Sequence, residues 1–147
     1  MGRIIASVKI DNASDVSKSL TCDALVDTGA SHMVLPTAWK ERLGPLDSTR
    51  TIELETATQQ IITGEVCGPV RIQIEGFPAI YNEVSFVEMK PEDGGFEPLI
   101  GYLVLEQSQA GVDMLGHRLV HIKHMDLKLV SVPLMSRAGR QERQLCG

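Results

Sequence analysis

The segment Ala24-Leu25-Val26-Asp27-Thr28-Gly29-Ala30-Ser31 constrains this chain more than any other. An apolar strand runs directly into a carboxylate. A carboxylate at the mouth of a buried strand is costly unless something pairs with it or uses it. Thr28 brings a hydroxyl that can hydrogen-bond across a contact, and Gly29 lets the backbone turn sharply and lets a second chain approach. The motif occurs once in 147 residues, so any reading of the chain has to account for one such carboxylate and no second.

Hydrophobic alternation and turn residues divide the rest of the chain. Arg3 to Ile10 reads as a strand, Asp11 to Asp15 carries turn chemistry, and Ser19 to Val26 forms the other arm of a hairpin. Met33-Val34-Leu35 is a short third strand. Pro36 opens a helix over Thr37 to Leu43 that stops at Gly44, with Trp39 as a packing residue on it. Thr51 to Thr56 and Ile61 to Val66 flank the polar Ala57-Thr58-Gln59-Gln60 as a hairpin. Val70 to Ile74 and Ile80 to Val87 are two more strands, and Lys90 to Glu97 is a loop marked by Pro91 and Gly94-Gly95. Leu99-Ile100-Gly101 leads into a short helix ending near Gln107. Leu119 to Ile122 is a late strand, and Leu127 to Val132 is a candidate for another. Strands dominate, so the fold class is mostly β. Each half of the chain runs strand, strand, apolar segment closed by glycine, helix. Asp27-Thr28-Gly29 and Leu99-Ile100-Gly101 fall at equivalent points of this weak repeat.

Leu25 to Ser31, Val34-Leu35-Pro36 and the downstream Pro98-Leu99-Ile100-Gly101 together resemble the retropepsin-like aspartic proteases, over roughly residues 3 to 123. The resemblance implies a single-lobe acid-protease β-barrel with one or two short helices, in a domain at 1–134 followed by a polar tail at 135–147. It implies an aspartic endopeptidase in which Asp27, Thr28 and Gly29 are catalytic. Ala30 and Ser31 would line the cleft, and Ala57, Thr58 and Gln59 would sit in a flap that closes over substrate and excludes water. Hydrolysis by this route needs two aspartates that share one proton, because like charges a few ångströms apart cannot both ionise. The chain supplies one and is too short for two lobes, so the second Asp27 is expected from another copy across a twofold axis. Retroviral members carry an acidic residue soon after the motif and an arginine after the later glycine, where this chain has Ser31 and Tyr102. The flap tip also lacks the glycines of the retroviral flap. The pattern sits closer to cellular and bacterial relatives than to viral polyprotein processors.

Composition narrows the partners. A net charge of −5 argues against nucleic acid, and no apolar stretch is long enough to span a membrane. No apolar run follows a basic N-terminus, and Ala6 stands where a myristoylation signal wants Ser or Thr. Cys22, Cys67 and Cys146 cannot all pair within one chain, so reduced thiols in a cytoplasmic protein are expected, Cys22 and Cys67 being strand residues. No cysteine has the setting of a nucleophile. His117, His121 and His124 have a spacing that raises zinc. Their local sequence reads as a strand, however, and no Cys or acidic ligand lies at diagnostic spacing, so solvated histidines are expected there, as is a surface or second-layer role for His32. Arg137, Arg140 and Arg143 mark a basic end. The expected partners are a second copy and a peptide or protein substrate, with no cofactor, metal, nucleic acid or membrane. The alternative is a non-catalytic β-rich peptide-binding or scaffold module that retains the protease fold. A module freed from catalysis could lose Asp27, Thr28 or Gly29, and all three are present.

Overall fold

Two hairpins frame the molecule, a computed structural model that describes residues 3–91 and 95–123. In the first, β1 (Ile5–Asn12) and β2 (Asp15–Val26) pair antiparallel through a turn at Ala13 and Ser14. Alternation buries Val8 and Ile10 from one arm and Leu20 and Ala24 from the other. The long second hairpin joins β5 (Ile61–Ile74) to β6 (Ile80–Val87), with Val66, Val70 and Ile72 facing inward. β1 also pairs antiparallel with β5, from Val8↔Ile74 to Asn12↔Val70. Asp11 therefore lies directly opposite Arg71, whose Nη1 donates to its buried carboxylate at 3.3 Å.

Short strands link the hairpins on the other side. β3 (Met33–Pro36) runs parallel to β6, and β7 (Leu99–Ile100) runs parallel to β2 and antiparallel to β3. The pairings thus run β1-β2-β7-β3-β6-β5 and return to β1, with β4 (Ser48–Glu55) outside this ring on β5. Exchanging β1 with β5, β2 with β6 and β3 with β7 maps these pairings onto themselves, a pseudo-twofold of the fold; it sets Leu99-Ile100 of β7 against β3 and not against Asp27-Thr28-Gly29, so the equivalent points read in the sequence are displaced. A 3₁₀ helix, Thr37–Leu43, follows β3, and α1 (Tyr102–Ser108) follows β7. Fully buried Ile10, Leu35, Ile72, Phe86 and Ile100 fill the interior, each aliphatic contributing about 1.5–3 kcal/mol by leaving water. With so few aromatics, branched aliphatics on alternating strands do this work.

Several elements differ from expectation. β2 begins at Asp15 and β4 at Ser48, because their polar ends still find ladder partners. The two expected strands around Gly68-Pro69 are one strand, β5, in which a register shift between Cys67 and Val70 absorbs the proline's missing N–H. The helix at Thr37–Leu43 is 3₁₀ and ends at Gly44; Asn12 Nδ2 donates to the carbonyls of Leu43 and Pro45, both at 2.8 Å, and ties that end to the first hairpin. Trp39 packs edge-on against Phe96 at 5.9 Å, with the Arg42 guanidinium over its ring. The candidate strand Leu127 to Val132, His124, Cys146 and the basic end lie outside the described residues.

An unexpected strand, β8 (Ala110–Asp113), pairs with β9 (Arg118–His121) as a separate hairpin. His121 is a docking group of this hairpin: its ring stacks on Phe77 at 4.3 Å and its Nε2 donates to the Gly76 carbonyl at 2.7 Å. The turn is held by Asp113, whose Oδ1 accepts the Gly116 N–H at 2.9 Å and whose Oδ2 accepts from Arg118 Nε at 3.2 Å. The Gly116 N–H first, and Arg118 second, hold this carboxyl below its ordinary value of 3.8. A depressed carboxyl stabilises the folded turn above its unfolded value, and the contribution is lost as pH falls through the folded one. The Gly116 amide shift should therefore titrate with its midpoint below 3.8, and Asp113→Asn should abolish that transition. A midpoint at or above 3.8 in the NMR titration would contradict this account of the turn.

Candidate active site

β2 delivers Asp27, and β7 lies beside it in parallel register, Leu25↔Leu99 and Val26↔Ile100. The Asp27 N–H continues that ladder, donating to the Ile100 carbonyl at 3.0 Å. There both strands stop. The loop from Asp27 turns through Ala30, whose N–H donates to the Asp27 carbonyl at 3.1 Å, and then meets the start of α1. Tyr102 N–H donates to the Ala30 carbonyl at 2.8 Å and Leu103 N–H to the Ser31 carbonyl at 3.1 Å. The first N–H groups of a helix have no partner inside it, so the loop satisfies donors that would otherwise be orphaned. Gly101 makes the crossing possible: a Cβ there would lie 2.5 Å from the Ser31 carbonyl carbon and oxygen.

This crossing fixes the carboxylate. Asp27 is half-buried, and its Oδ1 accepts the Gly29 N–H at 2.9 Å. Thr28, Gly29 and Ser31 are exposed and Ala30 is half-buried. Ser31 Oγ stands 3.5 Å from His32 Nδ1. The five loop residues singled out in the sequence thus stand together around one carboxylate that faces out of the fold. What the sequence left unassigned is the latch of Gly101, Tyr102 and Leu103. Its signal was the glycine between an apolar pair and a helix.

Ala57, Thr58 and Gln59 form a second group, at the tip of the β4–β5 hairpin. Glu55↔Ile61 is the last ladder pair, after which the Thr56 N–H donates to Gln60 O at 2.9 Å and the Gln59 N–H to Thr56 O at 2.8 Å. The Thr56 and Thr58 hydroxyls lie 3.0 Å apart, and Gln59 takes the left-handed conformation, φ 63°, that a glycine would adopt without strain. Residues 57 to 60 are exposed, and among the described residues no hydrogen bond joins this tip to the Asp27 loop within one chain. Elsewhere, burial and then the Asp23 charge push the half-buried Cys22 thiol up to about 11, which keeps it protonated and a poor nucleophile. Among the described residues, no cluster of three His, Cys, Asp or Glu side chains is placed to hold a metal ion.

Residues 6–104 match the family described as aspartyl protease. Among solved structures the chain is similar to EIAV protease complexed with the inhibitor HBY-793, with 21% identity, a TM-score of 0.52, and coverage of 71% of this chain and 86% of that one. At that identity the likeness is one of fold: the mostly β single lobe of the retropepsins. No curated protein matches the chain.

The latch has a direct test. Gly101→Ala forces a methyl onto backbone atoms that cannot move aside, so it should cost at least about 1–3 kcal/mol, the usual range for overpacking. Urea unfolding measures it. A loss below ~0.5 kcal/mol, the scale of an ordinary surface change, would mean that the loop and α1 do not cross this closely.

Proposed function

This chain belongs to the aspartyl protease family, and from that premise we propose that it is an aspartic endopeptidase that works as a homodimer. The observation that carries the reading is Asp27: one carboxylate, half-buried at the end of a strand, oriented by the Gly29 N–H and held on a loop latched to α1. A single carboxylate cannot serve as acid and base in the same step, and this chain offers one of its kind. A twofold axis beside the exposed Thr28 and Gly29 would bring a second Asp27 opposite the first. The two would share one proton, because two like charges in contact cannot both ionise.

The reaction then follows from the pair. The ionised Asp27 takes a proton from a water held between the carboxyls while the water oxygen attacks the peptide carbonyl carbon. The protonated Asp27 gives its proton to the carbonyl oxygen, which leaves a neutral tetrahedral diol. On collapse one diol proton returns to a carboxylate, the C–N bond breaks, and the departing nitrogen takes up the other carboxyl proton. Water is consumed and the pair ends as it began. Thr28 would hydrogen-bond across the axis, and Ala30 and Ser31 would line the cleft. The β4–β5 hairpin, with Ala57, Thr58 and Gln59 at its exposed tip, would act as a flap that closes over peptide and excludes bulk water. Two free thiols, half-buried Cys22 and buried Cys67, support a reducing, cytoplasmic setting.

Asp27→Asn keeps the shape of the side chain and removes the charge. Cleavage of a casein or peptide mixture should fall by about 10²–10⁴-fold or more, with the thermal midpoint equal to or slightly above that of the wild type. Wild-type cleavage that survives in Asp27→Asn would remove the assignment and leave a non-catalytic peptide-binding module as the better reading.

A further inference from the structure

The flap hangs on one strand. Among the described residues the backbone of β4 ladders with β5 alone, so the hairpin's main-chain attachment to the sheet runs through β5. β5 pairs with β6 from Ile72↔Ile80 up to Gly64↔Val87, where that ladder ends. Past Gly64 the two arms bond, among the described residues, only to each other, through Glu53↔Thr63, Leu54↔Ile62 and Glu55↔Ile61. The exit is tight: a Cβ on Gly64 would lie 2.9 Å from both the Phe86 carbonyl oxygen and Val87 Cγ1.

Two ion pairs grip the hairpin beside this exit, one on each face. Glu65 and Val66 are consecutive strand residues and point to opposite faces. Lys40 Nζ, from the 3₁₀ helix, donates to Glu65 Oε1 at 2.6 Å. Arg50 sits in register with Val66, and its Nη1 donates to the two Glu83 oxygens on β6 at 3.0 and 2.9 Å. The Lys40–Glu65 side chains are 33% and 39% exposed, too sheltered for a freely solvated pair and too wet for a large stabilisation. The Glu65 hydrogen bond holds the Lys40 ammonium above its ordinary value. The helix bearing Lys40 follows β3 directly, and β3 follows the Asp27 loop. The contact therefore ties the segment that leaves Asp27 to the root of the flap.

We propose that Lys40 is a positioning residue: by holding Glu65 it sets the angle at which the flap leaves the sheet relative to the Asp27 loop, and so the affinity for extended peptides. The consequence for peptide affinity rests on the protease reading above, whereas the consequence for the hairpin does not.

The test compares the full chain with Lys40→Met, Glu65→Gln and the charge swap Lys40→Glu/Glu65→Lys. The Gln59 and Gln60 amides, bonded to Thr56 O and Oγ1, report opening of the flap by hydrogen exchange. Either single variant should speed their exchange about two- to five-fold, the range a partly exposed ion pair commands, and the swap should restore it. Raising salt should speed exchange in the wild type but not in Lys40→Met. For a cleaved peptide, KM should rise by a similar factor with kcat little changed. Unaltered exchange at Gln59 and Gln60 in both single variants overturns the proposal. So does an equal acceleration at the remote Gly116 amide, which would signal general loss of stability. If the wild type cleaves no peptide the protease reading fails, and the exchange measurements still decide the role of Lys40.

Discussion

Just past the ends of β2 and β7, the loop that follows Asp27 crosses the chain at Gly101 so closely that a methyl would lie 2.5 Å from Ser31. Much else follows from this crossing. It lets the Asp27 N–H bond to Ile100 and lets the first N–H groups of α1 bond to Ala30 and Ser31. Those bonds spare a short helix its unsatisfied donors and spare a loop its unsatisfied carbonyls, a double saving that few other placements would allow. The carboxylate gains a rigid seat without being buried, so its desolvation cost stays modest while its direction is fixed.

The same crossing sits near the centre of an internal near-symmetry. β2 beside β7 is matched by β6 beside β3, and β3 meets β7 between them. By that symmetry β7 corresponds to β3, and the Asp27 loop between β2 and β3 corresponds to the stretch between β6 and β7, which has no Asp-Thr-Gly. Ile100, Gly101 and the start of α1 form the latch that holds the Asp27 loop. One Asp-Thr-Gly segment in a near-symmetric lobe whose other half holds it in place is the physical argument for the proposed partner copy.

The candidate site was legible in the sequence where its residues are contiguous. Asp27 to Ser31 is a local motif, and its strand shows in the apolar run before it. β1 and β6 were readable for the same reason, since alternation is a property of neighbours. Failures came where a partner lies far along the chain. Pro69 divided β5 in the reading, yet the strand continues because a register shift takes up the missing donor. β8 has four residues, one of them glycine and one aspartate, and nothing local marks it as a strand. His121 is exposed, as the sequence implies, but its bond to the Gly76 carbonyl was not legible because that acceptor is 45 positions away. Lys40 and Glu65 are separated by 25 positions, and neither stands out among the other surface charges.

The account turns on whether a working site takes one Asp27 from each of two chains, and subunit mixing tests that directly. Wild-type protein is held constant and Asp27→Asn protein is added in excess, with time allowed for exchange of subunits. If the site is shared, wild-type chains are drawn into hybrids that hold one carboxylate. Peptide cleavage should then fall toward zero along the statistical curve for random pairing. Activity that stays constant as the variant is added, while untagged wild type co-purifies with an affinity-tagged variant and so shows that hybrids have formed, would contradict a site shared between two chains.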